Sequence, residues 1–459
     1  MVTIYFDKQV FSYLFNTCDE KYIRLKEKIL AHKEEFIFLY SAGHLMDLNN
    51  DMSEIKYAEM EFMHSIVDEN FLIFDSYIKV SRISPMGVFL NLGKTFKKPL
   101  LDNLDLSNLS KEQIKALNNI SDLIRRDIDE GLEFDWLKTR VPIDSEELLV
   151  DKETLEYFFN VVSESFFGNK YKMVRDNVMH LYNPGSIVTG ESGNVNDVPL
   201  NTPLKMMYLD IVRAALKQIG FPVNNDLMTY YISYVFLDLF GFNKEPRKKV
   251  KIQNLQADAL HSFYGSYCDC VVSDDVGLRN KTKDLYGVYN INTKVYSVDE
   301  FIEKFDEAIA NNKKSIYQYW EEIMQDYLYG EEIKSETVPD GKMIGVKCSY
   351  SYFGYFNQMF VKESDGETAI ILCKNLDTNN FILIKEIEIL VNRYARAFNE
   401  IGAQFCNFNW ELEFTKILAD SWSREVRVNN MLLKLTRLPG TPKFCFSIWI
   451  KKDNTGKSN

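Results

Sequence analysis

Apolar and polar positions change period along this chain, and the changes mark its elements. Residues 2–6 form a short β-branched and aromatic run that stops at Asp7, the pattern of a buried strand followed by a turn or helix start. Residues 10–32 carry a helical pattern, and 36–40 form a second apolar run. Ser41 then stands as the N-cap of a helix that carries His44 and Asp47. Much later, 226–240 and 254–267 read as helices, 268–273 as a strand and 288–296 as an extended segment, with a further helix from Val298. Strand and helix in alternation predict a parallel α/β sheet, here assembled from two separated parts of the chain.

Residues 76–225 lie between those parts and read as mainly helical, with a long Gly-, Pro- and Asn-rich loop at 181–205. Within it, 185–192 approaches the phosphate-loop pattern, but Glu191 takes the lysine position, so a nucleoside triphosphate site is excluded. After a helix at 315–329, residues 331–341 read as a linker. Residues 343–359, 367–373, 411–415, 431–438 and 443–450 read as strands, and Ile387, Leu390, Tyr394 and Phe398 form a helical stripe. The expected organisation is a split α/β domain over 1–75 and 226–330, a mainly helical insertion over 76–225, and an α+β domain over 340–459.

Composition adds limits. Among 459 residues, 46% are hydrophobic and 26% charged, a globular rather than a disordered balance. With 54 basic against 66 acidic residues the net charge is −12, which rules out a uniformly basic coat. The charge is uneven. Residues 122–156 hold twelve acids and five bases. Residues 244–251, which include Lys248 and Lys249, hold five bases and one acid. Residues 76–101 hold Lys79, Arg82, Lys94, Lys97 and Lys98 with no acid, and Tyr77, Phe89 and Phe96 between them. Cations beside aromatic rings suit a single-stranded nucleic acid, whereas a charge run is ordinarily a solvated face. The seven scattered cysteines do not read as a disulfide framework. The start of the chain lacks a signal-peptide pattern, and Asp238 interrupts the most apolar stretch, 230–242. The expectation is a cytoplasmic protein without a membrane partner.

Four acids stand out by placement. Asp7 and Asp275 follow apolar strands, Asp47 lies one turn into the helix after the second strand, and Asp258 opens a helix. Any one of them alone reads as a helix cap or a solvated side chain. Together, at one end of an α/β sheet, they form a carboxylate cluster that needs a cation, and Mg²⁺ or Mn²⁺ is the natural partner of oxygen ligands. Asp274 is an additional candidate ligand. His44 lies three residues before Asp47 and His261 three after Asp258, so each shares a helix face with its acid. With Ser273, they are candidates to orient a carboxylate or bond a phosphate.

These residues resemble a known family. Asp7 in TIYFD, Asp47 in YSAGHLMDL, Asp258 in ADALHSFYGSYCD and Ser273-Asp274-Asp275 in VVSDD are similar to the acidic motifs of PIN-domain nucleases, over about 1–70 and 225–305. The resemblance implies a small parallel sheet flanked by helices, Mg²⁺ or Mn²⁺ held by Asp7, Asp47, Asp258 and Asp275, and hydrolysis of phosphodiester bonds, with RNA the favoured substrate. It also brings in Arg279 and Lys281, which join Lys248 and Lys249 as expected substrate contacts. Two features depart from the family: the long span from Asp47 to Asp258, and Asp47 itself, where Glu is frequent. Two alternatives stay open: a catalytically inactive PIN-like scaffold that binds RNA or a protein, and a metal-dependent DNA nuclease. The insertion and the C-terminal domain leave room for a protein partner or a second copy of the chain.

Overall fold

The computed structural model describes residues 2–75, 77–92, 195–196, 207–218, 226–239, 252–338, 341–364, 366–374, 380–400, 402, 405–419, 421–428, 431–438 and 443–451. The acidic run at 122–156, the near-miss loop at 185–192, and Lys94, Lys97, Lys98, Lys248 and Lys249 lie outside them.

The first half opens with β1 (Thr3–Phe6), α1 (Lys8–Asn16), α2 (Glu20–His32), β2 (Ile37–Ser41), α3 (Ala42–Asn50), α4 (Ile55–Val67), β3 (Asn70–Asp75), β4 (Tyr77–Arg82) and α5 (Pro85–Leu92). The helical pattern over 10–32 thus forms two helices. Thr17 caps the end of α1 in extended conformation, and Asp19 caps α2 by accepting from the Lys21 N–H. After the insertion come α6 (Tyr208–Gln218), α7 (Asp226–Leu239), α8 (Ile252–Gly265), β5 (Cys270–Val272), α9 (Val276–Val288), β6 (Lys294–Tyr296), α10 (Val298–Asn312) and α11 (Ile316–Tyr329). Where an extended segment was expected at 288–296, α9 runs on to Val288 and only β6 is a strand.

These strands make one sheet in the order β4-β3-β2-β1-β5-β6, parallel except for β4, which pairs antiparallel with β3. The central strands are buried on both faces and so read as unbroken apolar runs. Within them the faces alternate: Ile4, Phe6, Cys270 and Val272 pack with α1, α2, α4 and α10, whereas Tyr5 and Val271 pack with α6 to α9. The sheet therefore extends past the expected boundary at 75 through β4, and α5 packs against the same core through Val88 and Phe89.

The second sheet is antiparallel, in the order β11-β12-β13-β10-β9-β8-β7. It contains β7 (Glu332–Val338), β8 (Gly341–Val346), β9 (Gln358–Ser364), β10 (Glu367–Cys373), β11 (Ser423–Val428), β12 (Met431–Arg437) and β13 (Phe444–Lys451), with α12 (Asn380–Asn399) and α13 (Trp410–Leu418). The expected linker at 331–341 is largely the edge strand β7, whose polar sequence follows from its exposure. The expected strand at 411–415 lies in α13, capped by Asn409. Ile387, Leu390, Tyr394 and Phe398 of α12 are all buried against this sheet. The molecule is thus mixed α/β, with a mostly parallel sheet flanked by helices and a separate antiparallel sheet. Among the described residues no helix is long and apolar enough to cross a membrane.

The second sheet meets the first at the amino ends of the parallel strands. Lys374, just past β10, pairs with Asp269 at 3.0 Å and with Glu386 of α12. Asp269 precedes β5, and its other oxygen accepts the N–H groups of Val2 and Thr3 at the start of β1. Arg393 of α12 donates to the Glu35 carbonyl at 2.6 Å, just before β2. The charged side chain of Lys374 is 4% exposed, so it is worth keeping only while both carboxylates stay paired. Lys374→Ala leaves the buried Glu386 and the partly buried Asp269 without their cation and is expected to lower unfolding free energy by about 3–5 kcal/mol in urea titration. A loss under about 1 kcal/mol would show that the triad is dispensable to the fold.

Candidate metal centre

In an open parallel sheet, a crevice forms at the carboxyl ends where the strand order reverses. Here the chain moves from β1 to β2 in one direction and from β5 to β6 in the other, so the reversal lies between β1 and β5. Phe6 of β1 and Val272 of β5 are register partners there. The next residues are Asp7 and Ser273.

Asp7 is held on both sides. Its N–H donates to the Val272 carbonyl at 3.0 Å, and its carboxylate accepts the Val10 N–H at 2.9 Å, capping α1. Asp275 does the same for α9, accepting from the Leu278 N–H at 3.0 Å, while its own N–H donates to Ser273 Oγ at 3.0 Å. Both are true N-caps, as either alone would read. The cap also fixes each carboxylate over the crevice at the positive end of a helix.

Asp47 and Asp258 arrive from packed helices. α3 begins with a capping box in which Ser41 and His44 bond one another's backbone, and α8 packs across α3. Asp258 lies in the second turn of α8 rather than at its start. One turn later, His261 places Nε2 3.0 Å from Asp47 Oδ2. Asp258 lies in the field of the other three carboxylates. Burial holds Asp258 far above the usual carboxylate range, and Asp47, Asp275 and Asp7 raise it further against the opposing pull of Lys281. Asp7 is pushed up to about 6 by burial, with Asp47 adding to the rise while His261, Ser273 and the Val10 N–H oppose it.

Other expected site residues stand elsewhere. Asp274 turns away from the cluster: its carboxylate accepts from the Val298 N–H at 2.9 Å, Lys21 at 3.0 Å and Tyr22, an outer network that ties α10 and α2 to β5. Its oxygens are thus committed, so it is not placed as a ligand. Lys281 is buried and pairs with Asp238 of α7 at 2.7 Å, so it does not face solvent as a substrate contact. Arg279 donates to the Ser273 carbonyl at 2.7 Å and lies 4.0 Å from Asp274, supporting the end of β5 from behind. His44 and His261 are both buried, and Ser273 is fully so.

Three residues not anticipated from the sequence join the site. Tyr5 bonds His261 Nδ1 at 2.9 Å. Glu59 of α4 is buried and pairs with Lys8, next to Asp7, at 3.1 Å and with Ser12. Tyr234 of α7 is fully buried, and among the described residues its hydroxyl has no hydrogen-bond partner. Burial raises Tyr234 well above its ordinary pKa, and Asp258, Asp275 and Asp238 add to the rise, which places it in the field of the cluster. An unpaired buried hydroxyl costs about 1–3 kcal/mol. The only sequence signal for Tyr234 is its spacing of one helical turn before Asp238.

The donor set suits a hard divalent cation: carboxylate oxygens in mutual repulsion, with an orphan hydroxyl beside them. Among the described residues, no three His, Cys, Asp or Glu side chains are already arranged to hold a metal ion. Closing on one therefore requires side-chain movement at Asp47 or Asp258, since Asp7 and Asp275 are fixed by their caps.

The raised carboxyl of Asp7 has a definite sign in stability. The folded state holds this proton more tightly than the unfolded chain, so the metal-free protein loses stability as pH rises from about 4 to about 6. Asp7→Asn retains a good cap and removes that loss. In EDTA at pH 7.5 it is expected to be more stable than wild type by roughly 1–3 kcal/mol in denaturant titration, with the advantage gone near pH 4. Equal stabilities at both pH values would contradict the raised carboxyl. Comparison of the chain with family models, with curated proteins and with solved structures finds no match.

Proposed function

We propose that this chain is a divalent-metal-dependent endonuclease that hydrolyses phosphodiester bonds, with RNA the favoured substrate. The observation that carries the reading is the gathering of Asp7, Asp47, Asp258 and Asp275 where the strand order reverses, in mutual repulsion that a cation would relieve. The preference for RNA rests on the resemblance of the acidic motifs alone.

A bound Mg²⁺ or Mn²⁺ would acidify water at the crevice and offset the charge that develops on a phosphodiester in displacement. The chain supplies the rest. Asp7 and Asp275 are fixed by their helix caps, so they give a rigid half of the ligand set. Asp47 is held by His261, while Asp258 enters from the opposite helix. Lys281, locked to Asp238, softens the field at Asp258 without entering the crevice. Tyr234 offers a hydroxyl that a ligand oxygen can satisfy. The second sheet lies at the amino ends of the strands, on the order of 10 Å from the cluster along β1, so it is not a cover for the crevice.

A second reading, a PIN-like scaffold without cleavage, is favoured by one observation: no three of these side chains are already set to hold a metal ion among the described residues. One experiment separates the two. Purified protein is incubated with single-stranded and structured RNA, and with the matching DNA, in Mn²⁺ and in EDTA. Cleavage in Mn²⁺ that is lost in EDTA is expected, and Asp258→Asn should reduce it by at least about 100-fold, since even groups behind a metal ligand are worth about 10- to 100-fold. Tyr234→Phe should leave folding stability unchanged or higher and lower the rate less. Tight nucleic-acid binding with no cleavage in any metal would favour the scaffold. Wild-type rates in Asp258→Asn would remove the assigned site.

A further inference from the structure

The two histidines near the cluster have different roles, and hydrogen-bond accounting separates them. The Ser41 N–H donates to His44 Nδ1 at 3.1 Å. That nitrogen is therefore an acceptor, and the ring proton sits on Nε2, which donates to the Phe6 carbonyl at 2.8 Å. His44 is fully buried and fully committed, a neutral strut between the start of α3 and the end of β1.

His261 is placed otherwise. Its Nε2 lies 3.0 Å from Asp47 Oδ2, and an ionised carboxylate only accepts, so Nε2 carries the proton. In the neutral ring Nδ1 then accepts from the Tyr5 hydroxyl at 2.9 Å, closer than the 3.4 Å from that hydroxyl to His44 Nδ1. Tyr5 in turn accepts from the Ser41 hydroxyl at 2.6 Å, and Ser41 Oγ accepts the Gly43 N–H at 3.2 Å. The chain runs from Ser41 through Tyr5 and His261 to Asp47, with each donor used once. Room for it depends on Gly43. A Cβ at that position would stand 3.1 Å from His261 Nδ1 and 3.2 Å from its Cε1 and Cγ, pressing the ring off α3.

We propose that His261 is the positioning residue of the metal centre: it grips one oxygen of Asp47, leaves the other for the cation, and is itself fixed by Tyr5 and by the space at Gly43. This rests on the metal-dependent reading above. Asp47 needs such a partner because, unlike Asp7 and Asp275, it caps no helix and its side chain is 30% exposed. Groups behind a metal ligand commonly set affinity by 10- to 100-fold.

The test measures Mn²⁺ binding to the full chain directly, by electron paramagnetic resonance titration of free Mn²⁺, so activity is not required. Wild type is expected to bind. His261→Ala should weaken binding by about 10- to 100-fold. His261→Gln, whose amide nitrogen can donate where Nε2 does, should recover most of the loss. Tyr5→Phe, which keeps the ring and the packing, should weaken binding several-fold, and it serves if His261→Ala fails to fold. Long-range ¹⁵N correlation spectra of the wild type should show His261 protonated at Nε2 and not at Nδ1. Folded His261→Ala or Tyr5→Phe with wild-type affinity, or an Nδ1-protonated His261, overturns the positioning role and leaves the metal centre standing. A wild type that takes up no Mn²⁺ overturns the metal centre and the positioning role with it.

Discussion

Repulsion among four carboxylates at one end of a parallel sheet is the constraint around which the rest is arranged. Asp7, Asp47, Asp258 and Asp275 are tolerated by different local devices. Asp7 and Asp275 sit at helix starts, where backbone N–H groups and the helix field favour negative charge. Asp47 leans on His261, while Lys281 opposes the rise that burial and the other three carboxylates impose on Asp258. Such a cluster costs stability in the absence of a cation.

The opposite end of the sheet is built on the reverse principle. There the charges are matched: Lys374 stands between Asp269 and Glu386, and Asp269 also takes two backbone N–H groups at the start of β1. Burial would raise Asp269, yet Lys374 and those N–H groups hold it down at about 2. β1 thus runs from a neutralised end to a repulsive one, four residues apart. Docking the antiparallel sheet at the neutralised end adds contact area to the scaffold and keeps the crevice end clear.

Buried polar side chains link the site to its support. Tyr5 of β1 packs on the side of α8, between Ile4 and Phe6, which face the other layer. That alternation lets a strand otherwise given to packing send a single hydroxyl to His261. Tyr234 belongs to α7, reached only after the long insertion, and its unpaired hydroxyl stands in the field of Asp258 and Asp275. Asp238, one turn on, anchors Lys281. α7 therefore brings both Tyr234 and the partner of Lys281 to this side of the sheet.

The sequence by itself determined the elements whose cause is local. Asp7 and Asp275 were legible because a cap and a strand end depend on neighbours a few residues away. The stripe of Ile387, Leu390, Tyr394 and Phe398 was legible because helical period is local. Where local signals compete, the local pattern misleads. Residues 411–415 alternate like a strand, yet Asn409 caps them into a helix, and the polar run at 331–341 resembles a linker because an exposed edge strand needs no apolar residues. Only the tertiary structure decided that His261 meets Asp47 across 214 positions and Tyr5 across 256, and that Asp274 turns to Lys21 while Asp275 stays in the crevice. It also decided that Lys281 is spent on Asp238. These pairings are set by how helices pack on the sheet, and side-chain type and spacing along the chain carry no record of which distant partner lies opposite.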